Sequence, residues 1–157
     1  MINFSSQYSI PEIKEMFKDN NWELDPEEYE ILWETLSLLK KEHVDTIQKE
    51  ICLIVFGQQK TRIYSNKSRK GLYINLKDTE FLRNCKGVII LSPFFFGDEN
   101  DDNWRDNGAY TILHELAHHR LNHSSLNDDD KVVNKTEEAA IDLALNWAYE
   151  LNLKFLA

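Results

Sequence analysis

The sequence contains few cysteines, and their spacing excludes the chemistry that cysteine usually carries in small proteins. Only two are present, Cys52 and Cys85, and each lies within or next to an apolar run. Two cysteines that stand 33 residues apart form neither a Cys-x-x-Cys site nor a framework of several disulfides. The sequence therefore predicts two unreactive core thiols without a disulfide, and a reducing, cytoplasmic environment.

Long apolar runs and an excess of basic residues are also lacking. No segment approaches the roughly 18 apolar residues of a membrane span, and residues 1–10 have neither the basic nor the apolar region of a secretory signal. The chain has 18 Lys and Arg against 27 Asp and Glu, which gives a formal net charge of −9. Because this charge repels phosphate backbones and anionic lipids, neither nucleic acid nor a membrane is an expected partner.

What the chain does have is enough material for one hydrophobic core. It has 157 residues, of which 42% are hydrophobic and 11% aromatic, so it is long enough to bury a sizeable core. Domains commonly contain about 100–200 residues. Residues 1–157 are therefore expected to form a single domain.

The spacing of apolar residues predicts both helices and strands. Capping residues at Ser9 and Asp25 begin two helices, which end near Asn20 and Lys49. Apolar strand patterns follow at 51–56, 61–64, 72–76 and 88–91, with one or two helical turns within 78–84. After an irregular segment, 92–107, the last third is predicted as two helices, 107–123 and 132–152.

The first of these last two helices carries the motif His-Glu-x-x-His at residues 114–118. Residues four apart lie about 40° apart around a helix, so the rings of His114 and His118 point into the same space and can bind one metal ion. Glu115 is turned by about 100° from His114, where its carboxylate can take a proton from an attacking water. A catalytic zinc ion normally has three protein ligands, so a third must come from elsewhere.

The second helix is predicted to supply this third ligand. Glu138 and Asp142 lie one turn apart in the segment 138–142, and Glu138 is the predicted ligand. Asp142 is then expected to accept a hydrogen bond from the outer ring nitrogen of a ligand histidine. Glu137 and His123 remain as alternative third ligands.

These two motifs together resemble the gluzincin group of zinc metallopeptidases. The order of a strand at 88–92, an irregular loop and the His-Glu-x-x-His helix is similar to the small soluble ImmA/IrrE family, in which a Glu-Ala pair carries the third ligand. That pair corresponds to Glu138 and Ala139. The chain departs from the family pattern at Ala117, where Gly is usual, and at Ala140, where Asn is usual.

The resemblance implies a fold. It is zincin-like and α+β, with N-terminal helices packed on a small twisted sheet and the two metal-binding helices on the same face. In such an architecture the strand at 88–91 lies along the cleft, where an extended peptide could pair with it.

The resemblance also implies a function, the zinc-dependent hydrolysis of peptide bonds in a peptide or protein substrate. His114, His118 and Glu138 would hold Zn²⁺, and Glu115 would act as the general base. A regulatory or protein-interaction module that binds metal without turnover is the alternative, and a domain in which the histidines only pack is a third. The group that stabilises the oxyanion is left open among four residues: Tyr110, Tyr149, Arg62 and His119.

Overall fold

The computed structural model describes residues 6–20, 22, 24–55, 71–76, 85–92, 95–96, 102–123 and 130–154. In chain order, its elements are helices α1 (Ile10–Met16), α2 (Pro26–Ser37) and α3 (Lys41–Glu50), strands β1 (Ile51–Val55), β2 (Gly71–Asn75) and β3 (Gly87–Leu91), and helices α4 (Trp104–Arg120) and α5 (Asp130–Glu150). The predicted α+β class is confirmed for these residues. The strand predicted at 61–64 and the turns predicted at 78–84 lie outside them. No helix in the described part of the chain has the length and apolar character needed to cross a membrane.

Helices α1 and α2 begin where the sequence predicts, but each ends before its predicted last residue. Ser9 and Asp25 precede α1 and α2 as N-cap residues. The single helix predicted over 25–49 is two helices, α2 and α3, because the chain leaves the helical path between them. Lys40 there pairs with Gln7 in an isolated bridge. This contact joins segments that are distant in sequence, and helical periodicity therefore cannot reveal it.

The three strands form one sheet in the order β1-β3-β2. The central strand β3 runs parallel to β1, with Ile51 opposite Gly87, and antiparallel to β2, with Asn75 opposite Gly87. Both hydrogen-bonding edges of β3 are used along its whole length, so an extended peptide cannot pair with it. The strand addition expected at 88–91 is therefore excluded. Among the described strands, β2 lies at one end of the sheet and packs against α4.

Helix α4 lies at the centre of the core, between the sheet and α5. Its buried apolar residues are Ala109, Ile112, Leu113, Leu116 and Ala117. Helix α5 packs against α4 through a stripe of small residues, Ala140, Ala144 and Ala148, each at most 1% exposed. Because these side chains are small, the two helices approach closely, and polar residues at the edge of the contact come within reach of each other.

Cys52 and Cys85 form a disulfide, which corrects the prediction of two thiols without one. Cys52 lies on β1, and Cys85 comes two residues before Gly87, which is opposite Ile51 on the neighbouring strand. The two Cα atoms lie 5.9 Å apart, within the range that a disulfide spans. Since disulfides persist in oxidising environments, the argument from thiols for a reducing cytoplasm no longer holds.

We expect reduction of this disulfide to lower the free energy of unfolding by about 3–4 kcal/mol, because the bond restricts the unfolded chain over a 33-residue separation. Urea unfolding, followed by circular dichroism with and without a thiol reductant, measures the change. The double variant Cys52→Ser/Cys85→Ser is the control and should unfold like the reduced wild type, whatever the reductant. Equal midpoints for the oxidised and reduced wild type would contradict the prediction.

Candidate metal centre

His114 and His118 lie one turn apart on α4, and their rings converge on a single carboxylate. That carboxylate belongs to Glu137 on α5: its Oε2 lies 3.1 Å from Nε2 of His114, and its Oε1 lies 3.0 Å from Nε2 of His118. One ligand atom from each of the three residues lies within 4.8 Å of the other two. The three side chains therefore form a group that could hold a metal ion.

The two histidine–carboxylate separations are close to those between neighbouring ligand atoms of a tetrahedral metal site. With metal–ligand bonds of about 2.0–2.1 Å, neighbouring ligand atoms in such a site are about 3.3 Å apart. The two nitrogen-to-oxygen distances, 3.0 and 3.1 Å, differ from this value by only a few tenths of an ångström. Two imidazoles and a carboxylate suit zinc and several other divalent ions, so the donor set by itself does not identify the metal.

The charges of the group depend on one another. Hydrogen bonds from His114 and His118 hold the pKa of Glu137 far below its ordinary value. Burial disfavours the charged form of His114, but the hydrogen bond to Glu137 and the nearby charge of Glu115 outweigh it, so the pKa of His114 is raised. A metal ion that binds here competes with protons for the ring nitrogens, and acid therefore weakens its binding.

The acid that α5 brings to the histidines is Glu137, and not Glu138 as predicted. At about 100° per residue, Glu137 falls on the same side of α5 as the buried Ala140 and Ala144, whereas Glu138 is turned by about 100° and is exposed. The spacing of three and then four residues from Glu137 to Ala140 and Ala144 is visible in the sequence. This helical phase indicates Glu137, whereas the one-turn spacing of Glu138 and Asp142 indicates Glu138.

Asp142 does not have the role predicted for it. It is exposed, and it lies five residues after Glu137, about 140° further around α5. The residue at the outer ring nitrogen of His118 is instead His123, whose Nδ1 lies 2.9 Å from Nδ1 of His118. His123 therefore contacts the back of a ligand ring and does not belong to the ligand group.

Glu115 is buried beside the histidine pair. Its side chain is 9% exposed, and its Oε1 lies 4.0 Å from Nδ1 of His114. Gly71, the first residue of β2, faces it: a Cβ at Gly71 would lie 3.1 Å from Cγ of Glu115. The glycine thus lets the strand pass close to this carboxylate. Burial of a carboxylate costs stability, and such positions are often functional.

Among the oxyanion candidates that the structure describes, Tyr110 contacts the ligand group. Its ring stacks on that of His114, with centroids 6.2 Å apart and planes 23° from parallel. Burial, and next the charge of Glu137, raise the pKa of the Tyr110 hydroxyl. Its position one turn before His114 on α4 places it at the edge of the same group.

Two further oxyanion candidates, Tyr149 and His119, lie in the described part of the chain but are not brought to the ligand group. Tyr149 is 75% exposed on α5. His119 is turned toward the sheet and α3, where its Nδ1 lies 2.8 Å from the hydroxyl of Tyr73 and its Nε2 lies 3.8 Å from Oε1 of Glu50. Arg62 lies outside the described residues.

Comparisons of the chain with protein-family models, with curated proteins and with solved structures find no match. The resemblance to gluzincins therefore rests on the sequence alone, and of its two motifs only His-Glu-x-x-His contributes residues to the ligand group. The case for a function depends on the geometry of the site.

Proposed function

We propose that the protein is a zinc-dependent hydrolase that cleaves peptide bonds. The observation that carries the proposal is the convergence of Nε2 of His114 and of His118 on the carboxylate of Glu137. A fourth side chain, Glu115, is buried next to this group. Three ligands and one further carboxylate are the parts that a hydrolytic zinc site of this type requires.

Each of these residues has a role in the proposed reaction. His114, His118 and Glu137 would hold the metal. A bound zinc ion lowers the pKa of a coordinated water to around 7 and polarises a carbonyl group. Glu115 takes a proton from the attacking water as general base and returns it to the leaving amine. Tyr110 keeps the ring of His114 in place by stacking on it.

The neighbourhood of Glu115 supports a peptide as the substrate. Strand β2 begins at Gly71, directly beside Glu115, so extended backbone runs past the proposed general base. Extended peptides are commonly recognised alongside strands of a sheet. An extended substrate chain next to β2 would have its backbone close to the group that must act on it.

We expect the protein, purified without added metal, to retain about one zinc ion per chain, because two histidines and a glutamate on packed helices form a preorganised site. Plasma mass spectrometry measures the metal content. Cleavage of a proteome-derived peptide library, followed by mass spectrometry, should disappear after treatment with a chelator and return with one equivalent of zinc.

Two results would contradict different parts of this proposal. A metal content near zero that added zinc does not raise would contradict the metal site. One zinc ion per chain without cleavage of any peptide in the library would contradict the hydrolase, and it would favour a metal-binding module without turnover.

A further inference from the structure

We infer that His123 is a positioning residue that holds His118 in the orientation needed for metal binding, and that Asn75 holds His123 in turn. This inference rests on the proposed metal site and deepens it. The ring of His118 has a partner at each nitrogen: Nε2 faces Glu137 at 3.0 Å, and Nδ1 faces Nδ1 of His123 at 2.9 Å. The two ring nitrogens therefore have different functions: Nε2 faces the ligand group, and Nδ1 makes the contact that orients the ring.

The contact determines where the ring hydrogens lie. A ligand histidine binds metal through the lone pair of one nitrogen, so its hydrogen is on the other. With a metal ion bound, the lone pair of Nε2 of His118 would point at the ion, so Nδ1–H would donate to Nδ1 of His123, which accepts with its own lone pair. The hydrogen of the His123 ring is then on Nε2. An imidazole thus takes the place of the carboxylate, carbonyl or water that usually accepts from a ligand histidine.

The end of α4 brings His123 to this position. Asn122 has φ of 57°, its N–H donates to the carbonyl of His119, and the N–H of His123 donates to the carbonyl of His118. This pair of hydrogen bonds around a left-handed residue is the Schellman motif, which reverses the chain over the last helical turn. Asparagine is one of the few residues other than glycine that adopts positive φ readily.

A buried amide on β2 fixes the turn. Asn75 is 2% exposed, and its Nδ2 donates to Oδ1 of Asn122 at 3.1 Å and to the carbonyl of His123 at 2.8 Å. Both hydrogens of this amide are therefore used on the turn. Two residues earlier on the same strand, the ring of Tyr73 lies nearly parallel to that of His118, with centroids 6.4 Å apart. Strand β2 thus supports His118 directly and through the turn.

A matched pair of variants, His123→Leu and His123→Asn, tests the role. Leucine and asparagine have nearly the same shape, but only asparagine has an acceptor, Oδ1, the same number of bonds from the backbone as Nδ1 of histidine. We expect His123→Leu to weaken zinc binding by about 10–100-fold, the usual effect of losing the partner of a ligand histidine. His123→Asn should stay close to the wild type. Competition with a chromophoric chelator measures both affinities.

A spectroscopic readout separates positioning from a general loss of structure. In zinc-loaded protein with ¹⁵N-labelled histidine, the hydrogen on Nδ1 of His118 should give a cross-peak that exchanges slowly with water. We expect the cross-peak in the wild type and in His123→Asn, and its absence in His123→Leu. His119→Gln removes the neighbouring histidine, which contacts Tyr73 instead, and it should keep the cross-peak and the affinity.

Asn75→Asp provides a second route if His123→Leu fails to fold. It keeps the shape of the side chain but replaces the donor with an acceptor that faces the carbonyl of His123. The affinity for zinc should therefore fall, as it does in His123→Leu. Zinc affinities in His123→Leu and Asn75→Asp equal to that of the wild type would overturn the positioning role while the metal site stands. Absence of zinc binding in the wild type would instead overturn the site on which both proposals depend.

Discussion

Replacement of Glu137 by glutamine should abolish tight metal binding, whereas the same replacement at Glu138 should leave it unchanged. Of these two residues, only Glu137 places its carboxylate within 3.1 Å of both ligand nitrogens, and Glu138 is exposed on the neighbouring face of α5. Loss of a ligand should cost more than the roughly 10–100-fold that loss of a ligand's hydrogen-bond partner costs. Zinc titration against a competing chelator, with metal content after dialysis, gives the two affinities.

The two variants control for each other, since each turns one carboxylate of the same helix into an amide and removes one negative charge. A loss of zinc affinity that depends only on net charge would appear in both variants. If Glu138→Gln lost the metal and Glu137→Gln kept it, the assignment of the third ligand would be reversed, and the Glu-Ala pair of the resembling family would be the better guide.

Replacement of Glu115 by glutamine should leave zinc binding intact and slow peptide cleavage by about 10²–10⁴-fold, the usual contribution of a general base. Glutamine has nearly the same shape as glutamate, so the packing against Gly71 is kept. Its amide cannot take a proton from water at neutral pH. Initial rates of cleavage of a peptide identified in the library, together with the metal content of the same sample, measure both effects.

Glu138→Gln again serves as the control, because it makes the same chemical change at an exposed position outside the ligand group. Substantial residual cleavage by Glu115→Gln would contradict its role as general base. Loss of zinc together with activity would show that Glu115 acts through metal binding and not through proton transfer.

Features that depend on neighbours within one or two helical turns were determined by the sequence alone. The capping residues Ser9 and Asp25 mark the starts of α1 and α2, and the four-residue spacing of His114 and His118 places their rings together. The last two helices differ from their predicted ends by two or three residues. Helix periodicity and capping are local interactions, so the residues that create them stand close together in the sequence.

The identity of the third ligand depends partly on the local sequence and partly on the tertiary structure. The residues Glu137, Ala140 and Ala144 have the spacing of one helical face, so the sequence contains the phase of α5. The packing of that face on α4, however, decides which of two adjacent carboxylates meets the histidines. A helical wheel gives relative angles around one axis, but the direction in which a neighbouring helix lies depends on the whole core.

Only the tertiary structure decided the features that join distant segments. The break between α2 and α3 coincides with a bridge from Lys40 to Gln7, and the central position of β3 excludes strand addition there. The disulfide joins Cys52 on β1 to Cys85, 33 residues away in the sequence. His123 reaches His118 because the end of α4 reverses the chain and Asn75 on β2 holds the turn. These contacts form when the sheet and the helices pack together, and the order in which strands pair does not follow the order of residues in the chain.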